Sequence, residues 1–235
     1  MILRNILYLF ILINIGCITS YNIDYYESNV ISTDAEKDSV IISIIAPYKH
    51  NIDAEMNEII SYSKYKLEKG RPESTIGNFV TDLCLTYTNA DICIMNNGGL
   101  RTEIDKGNIK RGKIYELMPF ENELVILELD SMQLIKMLQY VAKRGGEPIS
   151  GVNIVINDSG ELIDFSLTNI NYNKEKIRIL TSDYLANGGD KMSFFNNKEQ
   201  EKLNLKVRDA IINYCLEHDT IEYKLDNRIK ILNNE

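Results

Sequence analysis

Apolar residues recur at helical spacing in two segments of the chain. In residues 74–89 they fall three and four positions apart, which predicts a helix capped by its first serine with one buried face. Residues 131–144 have the same spacing, begin with a serine cap and stop at Gly145-Gly146. Residues 38–56 and 199–217 are also predicted to be helical.

Short apolar runs bounded by turn residues predict the strands. The run ADICIM, residues 90–95, is short and apolar apart from Asp91, and it is followed by Asn-Asn-Gly-Gly, as a buried strand entering a loop would be. The other predicted strands are 58–67, 124–129, 152–156, 162–167 and 176–181. Helices and strands do not alternate regularly and the later strands come in a run. We therefore predict an α+β fold, a mixed β-sheet with flanking helices, and not a doubly wound one.

The first twenty residues carry a targeting signal. A positive charge precedes an apolar run at residues 6–13, and Gly16-Cys17 follows. The run is shorter than the roughly 20 residues that a transmembrane helix needs, so we predict a signal peptide at 1–20, with an anchor helix as the alternative. A cysteine after a small residue is typical of bacterial lipoproteins. Either Cys17 becomes lipidated or cleavage falls near Ser20.

Composition fits one exported domain after this signal. Residues 21–36 are polar without periodicity and predict a linker, which leaves residues 37–235 as one domain. The net charge is -8 and the basic residues are scattered, which argues against a nucleic-acid polymer as partner. A periplasmic or cell-surface location is expected. Three cysteines in apolar surroundings are predicted core residues: Cys84, Cys93 and Cys215.

Three loops carry side chains that could bind a polar ligand. Asn96–Arg101 (NNGGLR) joins a glycine pair, which opens the backbone to a ligand, to an amide and a guanidinium. Phe120 precedes a predicted strand. Another predicted strand runs into Tyr184, Gly188-Gly189 and Asp190. An aromatic ring can stack on a base, and a carboxylate can accept hydrogen bonds from ribose hydroxyls. Each loop alone also fits a structural turn or a core ring.

Taken in order, four segments resemble the C-terminal domain of the 5'-nucleotidase family. They are Glu73–Asn78 (ESTIGN), Asn96–Arg101 (NNGGLR), Pro119-Phe120 and Tyr184–Asp190 (YLANGGD). The resemblance covers about residues 58–195 and implies the substrate-binding domain of that family.

The resemblance implies a nucleoside site. Phe120 and Tyr184 match the two aromatics that sandwich the base. Asn96 matches an amide at the purine edge, Arg101 an arginine near the phosphate, and Asp190 the carboxylate that accepts the ribose hydroxyls. The predicted binding set is completed by Gly98, Gly99, Asn187 and Gly188. One position departs from the family, because a second arginine is replaced by Thr75 and the nearby Arg71 does not match it.

Hydrolysis in the family belongs to an N-terminal metallophosphatase domain with two metal ions. This sequence has two histidines, His50 and His218, and neither lies in the metal motifs of that domain. We therefore predict no catalytic residue, metal or cofactor in this chain. The expected partner is a separately encoded metallophosphatase with two divalent metal ions, to which the chain presents a nucleotide for catabolism or scavenging. The alternatives are a stand-alone nucleoside receptor and a surface interaction protein.

Overall fold

The computed structural model describes residues 38–168 and 175–232. The predicted signal peptide, Cys17 and linker therefore lie outside the described residues. The α-helices are α1 (Ser39–Met56), α2 (Thr75–Thr86), α3 (Arg111–Leu117), α4 (Ser131–Lys143), α5 (Asp183–Ala186) and α6 (Val207–Glu217). The strands are β1 (Ile59–Ser63), β2 (Ile92–Ile94), β3 (Gly107–Lys110), β4 (Glu123–Leu129), β5 (Ile149–Ser150), β6 (Val152–Asn157), β7 (Leu162–Leu167), β8 (Ile177–Ser182), β9 (Glu201–Lys206), β10 (Thr220–Ile221) and β11 (Ile229–Leu232).

The strands form mixed sheets. The largest has the order β5-β2-β8-β4-β9, in which β2 and β8 are parallel and the other pairs are antiparallel. Two three-stranded sheets, β10-β1-β3 and β11-β6-β7, each contain one parallel and one antiparallel pair. Helices flank these sheets, so the predicted α+β class is confirmed.

The central strands β2, β4 and β8 of the five-stranded sheet are buried on both faces, which explains their continuous apolar runs. Alternate residues of β2, β4 and β8 belong to two different core clusters. Those in the first cluster are Cys93, Leu124, Ile126 and Leu180, and those in the second are Ile92, Ile94, Val125, Leu127, Leu129, Ile177 and Ile179. Helices α2, α3 and α6 pack in the first cluster and α4 packs in the second. The three predicted core cysteines are buried free thiols.

Local capping chemistry fixes where the two central helices begin. Ser74 caps α2 as predicted, since its hydroxyl accepts a hydrogen bond from the Gly77 N–H. For α4 the predicted cap was wrong by one residue. Asp130 caps it through a capping box with Gln133. The buried face of α4 includes Leu134, Met137, Leu138 and Val141, whereas Ile135 is 39% exposed.

The prediction of one helix over residues 199–217 is wrong in its first third. Glu201–Lys206 forms β9, which pairs antiparallel with β4, and α6 begins only at Val207. The segment EKLNLK alternates charged and apolar residues. Leu203 and Leu205 pack against the core while their neighbours point outward, a period of two that suits an edge strand.

Helix α1 contributes no buried side chain. A compact unit begins within it, at Ile45, and carries the strands and the other helices of the described residues. Within the described ranges, no helix is both long enough and apolar enough to span a membrane.

Candidate functional site

The loops that follow β2 and β8 meet at one edge of the five-stranded sheet. These strands run parallel, so their C-terminal ends lie together, and the start of β4 lies beside the end of β8 through the pair Leu124 and Ser182. The loops enclose a cavity of about 320 Å³, a size typical of small-molecule pockets. It is lined by Asn96, Gly98, Gly99, Arg101, Phe120, Asn122, Tyr184 and Asp190.

Two aromatic rings line this cavity, Phe120 from the loop before β4 and Tyr184 from the short helix α5. Phe120 is 41% exposed and Tyr184 is 46% exposed, and neither belongs to a core cluster. The alternative of a core phenylalanine at position 120 is therefore wrong. Exposed ring faces in a concave site can take up a flat apolar group, because stacking removes both surfaces from water.

The carboxylate of Asp190 is held by hydrogen bonds on both oxygens. The Asn96 Nδ2 donates to Oδ2 at 2.6 Å, and the Tyr184 hydroxyl donates to Oδ1 at 3.0 Å. Beneath it, the Tyr140 hydroxyl donates to the Asp190 carbonyl at 2.9 Å. Burial raises the pKa of Tyr140, so its phenol remains a protonated donor at neutral pH. The acid is thus oriented before any ligand arrives.

The turn Asn96–Arg101 brings an amide, two glycines and a cation to the cavity. The Gly99 N–H donates to the Asn96 carbonyl at 3.0 Å, which closes the turn. The Arg101 guanidinium donates to the Gly98 carbonyl at 3.2 Å and remains exposed to solvent. The guanidinium is therefore available to an anionic group at the mouth of the cavity.

The loop that carries Phe120 is held from α6 by a buried arginine. Arg208 donates to the carbonyl oxygens of Met118 and Phe120, each at 3.4 Å, and pairs with the Glu121 carboxylate. Its guanidinium also lies 4.4 Å from the centre of the Tyr115 ring. Hydrogen bonds from Lys206 and then Arg208 lower the pKa of Glu121 to about 2. Charge and carbonyl contacts together fix this loop.

Two of the predicted binding residues lie outside the cavity lining. Asn187 donates to the Asp183 carbonyl and accepts from Gln200, and it lines a neighbouring cleft. Gly188 has a φ of 86°, which the turn into Gly189 requires. Both residues shape the loop that presents Asp190.

The two positions near the missing family arginine have local partners. The Thr75 hydroxyl accepts from the Glu68 N–H at 2.7 Å. Arg71 pairs with the Glu147 carboxylate at 3.0 Å and donates to the Gly146 carbonyl. Arg101 is therefore the arginine that lines the cavity.

Sequence reasoning missed four residues that shape the site: Asn122, Tyr140, Glu147 and Arg208. Asn122 follows the predicted Pro119-Phe120 pair closely and could have been included with it. Tyr140, Glu147 and Arg208 lie in segments distant from the predicted motifs, so no local sequence pattern indicates that they belong to the site.

Clefts of about 540, 490 and 400 Å³ lie elsewhere on the surface. Charged and amide side chains dominate the linings of the first two, and neither contains an aromatic ring. The third is lined by Tyr140 and Phe194 together with three lysines, and no carboxylate of the described residues lines it. Among residues 38–168 and 175–232, no group of three or more His, Cys, Asp or Glu side chains could hold a metal ion. The cavity of about 320 Å³ combines two aromatic rings with an oriented carboxylate and an arginine, and it is therefore the best candidate for recognising an organic ligand.

The fold and the cavity together define an α+β domain with a polar, aromatic-lined pocket at the edge of its central sheet. The profile of the family described as "5'-nucleotidase, C-terminal domain" matches residues 57–197. The chain belongs to this family.

Similar proteins support the assignment. An apyrase of Tabanus yao is 25% identical over 264 residues, covering 93% of this chain and 47% of that protein. Protein UshA of Escherichia coli (strain K12) is 26% identical over 169 residues, covering 67% of this chain and 30% of that protein. The crystal structure of a 5'-nucleotidase precursor from Thermus thermophilus matches with a TM-score of 0.71 at 25% identity, covering 86% of this chain and 45% of that one. The chain thus spans less than half the length of these relatives.

Proposed function

We propose that this domain binds the nucleoside portion of a nucleotide in the cavity at the end of β2 and β8. The observation that carries the proposal is the presence of Phe120 and Tyr184, both about half exposed, in one cavity with an oriented carboxylate. A base between the two rings would gain about 1–3 kcal/mol per stacking contact.

The ribose is assigned to Asp190. Each of its oxygens accepts one hydrogen bond from the protein. An ionised carboxylate has about four acceptor positions, so each oxygen retains capacity for a hydroxyl donor. Two such acceptors on one carboxylate suit the adjacent 2' and 3' hydroxyls of a ribose. Asn96 is placed at the purine edge by analogy with the family, and the exposed Arg101 guanidinium is the candidate contact for the phosphate.

Phosphate ester hydrolysis is assigned to a partner. We infer that this chain presents the nucleotide to a metallophosphatase on another chain, which supplies two divalent metal ions and the activated water. The two histidines of the sequence, outside any metal motif, support this division. The N-terminal signal segment supports export, with Cys17 as the site of a lipid anchor. Relatives named as a 5'-nucleotidase and an apyrase support a role in nucleotide catabolism or scavenging.

Calorimetric titration of the chain with adenosine and AMP tests the binding proposal. Phe120→Ala and Tyr184→Ala should each weaken binding by about 1–3 kcal/mol because one stacking face is lost. Tyr65→Ala is the matched control, since Tyr65 is similarly exposed at 38% but lies outside the cavity. If the control weakens binding as much as the two cavity variants do, the rings do not form the site.

An assay of phosphate release tests the division of labour. The purified chain, supplied with AMP and with Mg²⁺, Mn²⁺ or Zn²⁺, should release phosphate no faster than buffer alone. Affinity purification from the native source should recover a metallophosphatase. Metal-dependent release by the chain alone would contradict the assignment of hydrolysis to a partner.

A further inference from the structure

A carboxylate is buried directly behind the cavity. Glu147 follows the Gly145-Gly146 pair after α4, and its residue surface is only 1% exposed. It does not line the cavity. A buried charge is costly unless it is paired and hydrogen-bonded, so its partners indicate what it does.

The Glu147 carboxylate accepts hydrogen bonds from two guanidinium groups and one backbone N–H. Oε1 accepts from Arg71 Nη2 and from Arg144 Nε, each at 3.0 Å. Oε2 accepts from the backbone N–H of Asn97 at 2.7 Å. The two guanidinium groups balance the charge of the carboxylate, and the second oxygen is left to hold the backbone of the Asn96–Arg101 turn.

These contacts tie three separate segments together. Arg71 also donates to the carbonyl oxygens of Arg144 and Gly146. Gly146 has a φ of 105°, and a Cβ at this position would lie 1.9 Å from the Pro72 carbonyl oxygen. The backbone of the turn after α4 therefore lies directly against that of the Arg71-Pro72 segment, which places Glu147 in a fixed position.

Asn97 itself is the link to the site. Its neighbours Asn96 and Gly98 both line the cavity, and the Asn96 amide donates to Asp190 at 2.6 Å. A shift of the Asn97 backbone would therefore move the amide that orients the carboxylate of Asp190. The anchoring of Asn97 thus bears on the geometry of the cavity.

We propose that Glu147 is a positioning residue for ligand binding. It holds the Asn97 backbone so that Asn96 and Gly98 meet the nucleoside in the correct place, with Arg71 and Arg144 orienting its carboxylate. This inference rests on the proposed function, because the ligand whose affinity it sets is the nucleoside.

Glu147→Gln is the direct test, measured in the full chain. A glutamine has one acceptor oxygen. In either orientation its NH₂ faces a donor, either the Asn97 N–H or the two guanidinium groups. We expect the adenosine dissociation constant to rise about tenfold, and hydrogen exchange of the Asn97 amide, followed by NMR, to become faster.

Asp82→Asn provides the matched control. Asp82 also pairs with an arginine, through Arg228 Nη1 at 2.7 Å, and it lies outside the cavity lining. The same carboxylate-to-amide change should lower the melting temperature while leaving adenosine affinity and Asn97 exchange as in the wild type.

Equal adenosine affinity and equal Asn97 exchange in Glu147→Gln and the wild type would overturn the proposal. If that variant does not fold, Glu147→Asp takes its place, because it keeps the charge but withdraws the carboxylate from Asn97 by one methylene group. Unchanged affinity and exchange in this second variant would also overturn it. A wild-type chain that binds no nucleoside would instead refute the proposed function. Asn97 exchange, which needs no ligand, would then decide whether Glu147 anchors the turn.

Discussion

The two glycine pairs at the cavity look alike in sequence but are required for different reasons. In the first turn, Gly99 leaves room for a neighbouring side chain, since a Cβ at this position would lie 2.6 Å from Asn96 Oδ1. In the second, Gly188 takes a φ of 86° that suits glycine. The Asp190 and Lys191 that follow are also left-handed, at 50° and 66°.

The two turns are also held in different ways. A buried carboxylate anchors the first from behind, through Asn97. The second is held by the hydroxyls of Tyr140 and Tyr184, which bind the Asp190 backbone and side chain. Sterically unfavourable backbone angles often accompany functional sites, and here they place the carboxylate of Asp190 in the cavity. The first turn therefore depends on side-chain fit, and the second depends on backbone conformation together with the close approach of Gly189 to the Tyr184 ring.

The largest expected effect is on the second turn. Asp190→Ala should weaken adenosine binding by about 1.5–3 kcal/mol, because hydrogen bonds to a charged acceptor are lost. Calorimetry should show a much smaller loss for 2',3'-dideoxyadenosine, which lacks both hydroxyls. Asp190→Asn removes the charge without straining the backbone, since asparagine tolerates left-handed angles. It therefore separates the loss of the carboxylate from the backbone strain that alanine would add. Equal losses of affinity for adenosine and for dideoxyadenosine would contradict the role assigned to Asp190.

Gly189 and Gly98 offer a direct comparison between the turns. A Cβ on Gly189 would lie 2.5 Å from the Tyr184 ring and 2.6 Å from its carbonyl oxygen. Gly189→Ala should lower the free energy of unfolding by about 1–3 kcal/mol through overpacking. Gly98→Ala, whose nearest neighbour lies at 3.4 Å, should change it by less than about 0.5 kcal/mol. Urea denaturation measures both, and similar values for the two would refute the comparison.

Gly188 tests the backbone argument, together with the 2.7 Å approach of its Cβ position to Asn196 Oδ1. Alanine at a φ of 86° is strained, and Gly188→Ala should cost about 1–2 kcal/mol of unfolding free energy. Gly188→Asn should recover part of that loss, because asparagine visits left-handed angles more readily. Equal free energies of unfolding for Gly188→Ala and the wild type would show that the turn does not require this angle.

The Tyr184 hydroxyl gives a smaller effect. Tyr184→Phe keeps the ring for stacking but removes the 3.0 Å hydrogen bond to Asp190 Oδ1. Adenosine binding should weaken by about 0.5–1.5 kcal/mol, and dideoxyadenosine binding should stay unchanged. A comparable weakening with dideoxyadenosine would mean that the hydroxyl acts through the ring and not through Asp190.

The loop of Phe120 adds a third mode of anchoring, by ion pairs, with the smallest effect. Hydrogen bonds from Lys206 and Arg208 depress the pKa of Glu121 from 4.5 to about 2. The stabilisation is therefore present above pH 4.5 and is lost as the pH falls towards 2. Melting temperatures across this range should fall less steeply for Glu121→Gln. Parallel curves for variant and wild type would indicate that the pair contributes nothing, as is common at surfaces.

The sequence predicts the centre of this fold better than its edges. Apolar runs in β2 and β4 and the periodicity of α2 follow from burial on both faces of one sheet, a strong local signal. Strand β9 was mistaken for helix because its pairing with β4 is a tertiary contact.

Sequence motifs located most of the cavity lining. They could not separate Asn187 and Gly188, which shape the loop, from the residues that line the cavity. The role of Glu147 was invisible because its donors come from residues 71, 97 and 144. Residue spacing along the chain does not predict a tertiary contact between segments that are so far apart in sequence.

The central claim is that Phe120 and Tyr184 hold one base between them. NMR of the chain saturated with adenosine tests it most directly, through nuclear Overhauser contacts from the purine H2 and H8 protons. We predict contacts to the ring protons of both residues, with the ribose protons near Asp190. Purine contacts to only one ring, or to neither, would contradict the account.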